Sequence, residues 1–473
     1  MRLRRLFALL AVVALIAVAC GDSEETTTTT TAAPGTTTST TEAETTTTTE
    51  GETTTTTEGE TTTTTEGMTG PAFDVGFDEA TGTIRLGVLA ALTGPIPGIG
   101  QSVFDGHRVY WDKVNADGGV AGTYPVELVV RDNEYNPERT VVVYNEIKDD
   151  VLAFSSTLGT PTTAPIAGPA GEESILVAAG SLASQWALTE NVLLNLAANT
   201  YFAQFANAPY WAMEIADPAI MTTDTVVGIV YQADDYGADC KNGYDFAQEN
   251  LGFNAAYEAT YAPTDTDFSA QMAGAQAGGV EVLFVCALPT ALATMIGTNA
   301  ALAYNPIIFG SSPSYNVALP AALGGGDEAA GLAAFANYYN LGTSVPWEAD
   351  LPGAAQMRAD RDAHGADVPQ ENINAFFYFG YTQAASFHQV LEAGIANGDI
   401  TRAGLLSAVG DVQNVDFGFG GAPAGYGDTP AGRIPTNEDQ IGTIVSVTER
   451  AFGIEPVSDF FVAPYMEGWD PAG

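Results

Sequence analysis

Residues 84–122 read IRLGVLAALTGPIPGIGQSVFDGHRVYWDKVNADGGVAG. The first nine are almost wholly apolar and stop at Thr93-Gly94-Pro95, the pattern of a strand buried on both faces. Val103, His107, Tyr110, Trp111 and Val114 then recur at helical spacing. The same alternation continues outward. VELVV (126–130) reads as a strand, 137–150 as a helix, VLAFSSTL (151–158) as a strand, 162–173 as a helix and ILVAAGS (175–181) as a strand. A repeated β-α-β rhythm implies an α/β fold whose parallel sheet is covered on both faces.

The rhythm then restarts. A helical stretch near 200–216 leads to the strand TVVGIVYQ (225–232), a helix near 240–251, a strand at 254–262 and a helix at 267–277. VEVLFVCAL (280–288), a helix at 290–303, PIIFGSS (306–312) and a strand-like 331–341 follow. Helices near 351–364, 371–397 and 401–410, a glycine-rich stretch (417–432) and a strand-rich tail (440–466) close the chain. Two doubly wound, Rossmann-like lobes facing a cleft account for this order. The expected division is 81–199 with 331–440 for lobe 1, and 200–330 with 441–473 for lobe 2.

The N-terminal part is not fold material. Basic MRLRR precedes an apolar run over 6–19 and small residues before Cys20, which reads as a signal peptide (1–19) with lipidation at Cys20. Ala17 stands where a leucine is usual, so a plain signal peptide cut elsewhere, or an uncleaved anchor, is the alternative. TTTTTEGE occurs at 45–52 and again at 53–60. So polar a repeat buries no core, and 20–80 is read as a linker holding the lobes off a membrane. Roughly 50 flexible residues span on the order of 40 Å.

The chain of 473 residues carries 15 Lys and Arg against 58 Asp and Glu, a net charge of −43. That surface repels nucleic acid and anionic headgroups. Besides Cys20 there are Cys240 and Cys286. In a doubly wound lobe the first strand lies beside the third. Cys240 follows the first strand of lobe 2 and Cys286 ends the third, so the two either pair as a disulfide or stay as buried thiols.

No segment demands an enzyme. His107, His364 and His388 have no partner at metal-ligand spacing, and there is no nucleophile elbow, P-loop or dinucleotide fingerprint. Neither metal nor cofactor is expected. The carboxyl ends of the strands, where doubly wound sheets bind ligands, carry Thr93-Gly94, Gly159-Thr160, Gly180-Ser181, Tyr236-Gly237, Thr290 and Ser311-Ser312. Short hydroxyls and the free N–H groups of a helix start suit a carboxylate or carbonyl oxygen; alternatively they only cap helices.

Together, 84–122, VELVVRDNEYNPERT, LGTPTTAPIAG (158–168) and YQADDYGAD resemble the leucine/isoleucine/valine-binding-protein family, substrate-binding components of ABC importers with the type I periplasmic-binding fold. The resemblance covers about 84–466. It implies two lobes joined by three crossings that close on a small ligand, with an ABC permease as partner. Carried over by position, Thr160 binds a ligand carboxylate, with Thr162 and Thr163 beside it. Gly180 and Ser181 supply a carbonyl and a hydroxyl, Thr93 marks the first strand end, and Tyr236 is an aromatic contact. Tyr201, Thr290, Ser312 and Tyr315 complete the expected ligand-binding set. Two positions depart from the amino-acid binders: Ser312 replaces an acidic residue that holds the ligand ammonium, and Ile99 replaces an aromatic one. A branched-chain or other amino acid, an amide or urea-like solute, a small carboxylate and an aromatic acid all stay open as ligands. The expected protein is a monomeric, lipid-anchored extracytoplasmic binder; a ligand sensor serving a signalling receptor is the alternative, and an enzyme a distant third.

Overall fold

A computed structural model describes residues 70–473. The expected signal peptide, Cys20 and the whole threonine tract lie outside the described residues. Within them, no helix is long and apolar enough to cross a membrane.

Lobe 1 is built on β1 (Phe77–Asp78), β2 (Thr83–Ala90), β3 (Val126–Asp132), β4 (Ala153–Leu158), β5 (Val177–Gly180) and β6 (Val192–Leu193). The order is β3-β2-β4-β5-β6, parallel throughout, with β1 antiparallel at the start of β2. Lobe 2 holds β7 (Val226–Gln232), β8 (Asn254–Tyr261), β9 (Val282–Cys286), β10 (Ile307–Gly310), β11 (Tyr338–Gly342), β12 (Gln440–Ile444) and β13 (Ile454–Pro456). Here the order is β8-β7-β9-β10-β11-β12-β13. Strands β7 to β11 are parallel, and β12 and β13 add antiparallel pairs. The type I periplasmic-binding architecture is therefore present, with β7 beside β9 as the doubly wound rule requires.

Two boundaries need correction. Residues 331–341 were assigned to lobe 1, but β11 pairs with β10, Ile308 opposite Tyr338, and extends the second sheet. The pairing is long-range, and the apolar pattern of 331–341 carries no mark of which sheet it joins. The expected linker also ends too late: Ala72 bridges to Asp399, and Phe73 stacks on Phe77 at 3.5 Å between ring centroids.

After β11 the chain returns to lobe 1, where helix Ala375–Ala396 lies against helix Pro97–Ala116. The two backbones approach through glycines. A methyl on Gly106 would collide with the Phe377 carbonyl, and one on Gly380 with that of Val103. Trp111, Val114, Phe377 and Phe387 fill the core beneath them. The chain thus passes between lobes three times, near 194–200, 343–351 and 425–439. Asp439 ties the passages together: its Oδ1 accepts from Asn199 Nδ2 at 3.1 Å, Gly342 N at 2.8 Å and Gln440 N at 3.0 Å. Its Oδ2 is buried without a partner. Burial pushes this carboxyl up to about 8.

Candidate ligand-binding cleft

A cavity of about 820 Å³, counting its open mouth, lies between the lobes at the carboxyl ends of the strands. Its floor is formed by the passages, with Ala198, Asn199, Thr343 and Ser344. Lobe 1 contributes Ile96, Ile99 and Val103 around the first helix, Leu158, Gly159 and Thr160 after β4, and Phe376, Tyr378 and Phe379 from helix Ala375–Ala396. Lobe 2 faces them with Tyr201, Tyr236, Leu288, Ser312 and Pro313. Among the described residues, no lysine, arginine, histidine, aspartate or glutamate lines the wall.

Gly159 opens helix Thr160–Glu172 with φ 102°, a conformation that favours glycine, and a side chain there would strike the Tyr135 ring. The Thr160 hydroxyl lies 2.6 Å from Ser181 Oγ. Ser181 Oγ already accepts from Trp186 Nε1 at 2.9 Å and from Ala183 N at 3.3 Å. With two donors already on Ser181 Oγ, the arrangement that satisfies both hydroxyls has Ser181 donating to Thr160, which leaves the Thr160 proton available to the cavity.

Ser312 repeats the device across the cleft. Its N–H donates to Gln204 Oε1 at 2.8 Å, which fixes the amide orientation, and Gln204 Nε2 donates to Ser312 Oγ at 3.0 Å. The Ser312 proton is therefore also free to be donated. Gln204 is wholly buried and reaches Asn199 Oδ1 at 3.1 Å, joining the cavity wall to the passages.

The other expected residues fall into three groups. Gly180, Tyr201 and Tyr236 line the cavity, but the Gly180 carbonyl accepts Gly159 N–H at 2.9 Å. The Tyr236 hydroxyl meets Ser311 Oγ at 2.6 Å and Ala287 O at 3.1 Å, so only its ring serves the cleft. Ser181, Thr162 and Thr163 stand behind the wall. Thr162 donates back to Leu158 O and Gly159 O, and Thr163 to Gly159 O at 2.8 Å, as residues of a helix's first turn do. Thr93, Thr290 and Tyr315 stand away from the cavity. Thr93 is exposed and donates to Asp132 Oδ2 at 2.7 Å, Thr290 is exposed, and Tyr315 packs edge-on to Phe335 in the lobe 2 core.

Ile96, Val103, Leu158, Phe376, Phe379 and the floor residues escaped the sequence reading. The one signal was the aromatic run AFFYFGY at 375–381. It opens a helix in a late segment, and nothing local shows which end of that helix meets the cleft.

Lobe 2 is braced at the site. Cys240 and Cys286 form a disulfide, with Cα atoms 6.3 Å apart, and pin helix Asp235–Leu251, which carries Tyr236, to the end of β9. One turn on, Asp239 accepts from Ser184 N at 3.0 Å, from the Ser184 hydroxyl, and from Phe202 N at 2.9 Å, bridging a lobe 1 loop to lobe 2. Burial raises this carboxyl to about 6. No group of His, Cys, Asp and Glu able to hold a metal occurs among the described residues. His107 is packed in the core beside Ser155 Oγ at 3.0 Å, and burial lowers its ring to about 3.

Comparison with known proteins agrees with this architecture. The family model described as periplasmic binding protein matches residues 83–436. The Leu/Ile/Val-binding protein homolog 3 of Brucella melitensis is 27% identical over 216 residues, 45% of this chain and 57% of that protein. The chain therefore spans little more than half the length of that relative. Among solved structures, the fatty acid ABC transporter substrate-binding protein from Thermomonospora curvata superposes with a TM-score of 0.73 and 26% identity. The match covers 85% of this chain and 97% of that one. A branched-chain amino acid ABC transporter protein from Thermus thermophilus with bound valine shares the fold at a TM-score of 0.67 and 17% identity, over 83% and 99%. With its two lobes, three passages and hydroxyl-lined cleft, the chain belongs to the periplasmic binding protein family.

Proposed function

We propose that this protein is the extracytoplasmic solute receptor of an ABC importer, lipid-anchored through Cys20. Its ligand is a small amphipathic molecule with an apolar or aromatic body and a hydrogen-bond-accepting end, a monocarboxylate above all. The observation that carries this reading is an interlobe cavity with no charged side chain on its wall, where Thr160 and Ser312 each offer a proton from opposite lobes. A carboxylate finds two hydroxyl donors and the helix start at Thr160. An ammonium meets no countercharge, and a desolvated cation without one is costly. The fatty acid named for the Thermomonospora protein is consistent with such a ligand. The reading is capture and release, with hinge closure presenting the loaded form to a permease.

The test is calorimetric titration of aliphatic and aromatic monocarboxylates against leucine, valine and their amides. The proposal expects stoichiometric binding of at least one acid and at least tenfold weaker binding of the amino acid with the same side chain. Tight leucine or valine binding with no acid bound would overturn the ligand class.

A further inference from the structure

A second cavity, about 420 Å³ with its mouth, lies on the other side of the passages. Leu196 and Ala197, Thr343, and Thr436 and Glu438 bring all three passages to its wall, and Thr343 and Tyr378 face both this cavity and the cleft. Phe417, Phe419 and Phe460 give the rest of the wall an aromatic character, with Val415, Gly421 and Ala422 between them. Two carboxylates, Asp416 and Glu438, stand on it, and no cationic side chain does. Each spends one oxygen on a backbone N–H, Asp416 Oδ1 from Gly418 at 2.7 Å and Glu438 Oε2 from Ala422 at 2.8 Å. Neither is in an ion pair among the described residues.

We propose that this cavity is a second ligand site, taking a compact organic cation such as an aryl-alkyl ammonium, and that its occupancy favours the closed lobes. Aromatic faces and free carboxylate oxygens are what such a cation binds. The net charge of −43 raises the local concentration of any cation. The sign of the coupling comes from position. Lobes turning about the passages narrow one side as they widen the other. A molecule filling the far side therefore holds the cleft shut, and by reciprocity it tightens whatever the cleft holds. None of this depends on the identity of the cleft ligand.

The probe is benzylammonium chloride, titrated calorimetrically into the full chain, with sodium benzoate as the control of opposite charge. Saturable benzylammonium binding is expected, weakened at least fivefold by Glu438→Gln and lost in Val415→Trp, whose indole fills the cavity. Spin labels on Val142→Cys and Asn250→Cys, exposed on different lobes, should report a shorter interlobe distance with the probe. The Val415→Trp protein should show the same shortening without it. Absence of saturable binding, or binding indifferent to both substitutions, overturns the site; a lengthened distance overturns the coupling.

Discussion

Asp439 is wholly buried at the meeting of the three passages, with one oxygen accepting three donors and the other without a partner. Burial raises its carboxyl from 3.8 to about 8. The folded protein therefore holds this proton through a range in which the unfolded chain has released it. Stability from this group is fully present below pH 3.8, falls as pH rises toward about 8, and levels off above that. Each pH unit inside the window costs about 1.4 kcal/mol, so pH 5 to pH 7 removes on the order of 3 kcal/mol. Asp439→Asn keeps the acceptor oxygen with its three donors and replaces the unpartnered oxygen by an amide that does not titrate. Urea unfolding of both proteins from pH 5 to pH 8 should therefore show the variant's advantage growing by 2–3 kcal/mol between pH 5 and pH 7, on the order given by the linkage. Asp239 and the other carboxylates are common to both and cancel in the difference. Parallel curves would mean that Asp439 ionises at an ordinary pH, and would refute the argument.

Three other expectations concern the cleft and its supports. Thr160→Val retains shape and loses the donated proton, so affinity for the cleft ligand should fall by about 1–3 kcal/mol, read by calorimetry. Replacing Cys240 and Cys286 together by serine opens a loop with a sequence separation of 46 and should cost about 2–4 kcal/mol in denaturant melts. Dithiothreitol should reproduce that loss in the native protein. Gly380→Ala drives a methyl into the Val103 carbonyl and should destabilise the protein by about 1–3 kcal/mol, while Gly297→Ala, with open space around it and no positive φ, should not create a clash.

The order of strands and helices was legible because the central strands of both sheets are parallel and buried, and each stands out as an apolar run between turn residues. The β7–β9 neighbourhood that brings Cys240 to Cys286 was legible too, since it follows from the winding rule rather than from local sequence. What could not be read is which polar atoms are already spent. Thr160, Thr162 and Thr163 look alike in the sequence. Only the fold shows that two of them bond to carbonyls of their own turn, while the third pairs with the Ser181 hydroxyl. The aromatic wall of Phe376 and Phe379 was hidden for another reason: it reaches the cleft from a segment more than 200 residues past the strands it faces.

The path between lobes also governs how the molecule can be made. Helix Ala375–Ala396 covers the lobe 1 core, and β12 and β13 extend the lobe 2 sheet, yet all three come from the last quarter of the chain. An emerging or partly exported chain ending near residue 350 would leave Trp111 and Val114 uncovered in lobe 1 and β11 as a bare edge in lobe 2. Neither half can mature ahead of the other. The two lobes complete their cores together, once the last quarter of the chain is in place.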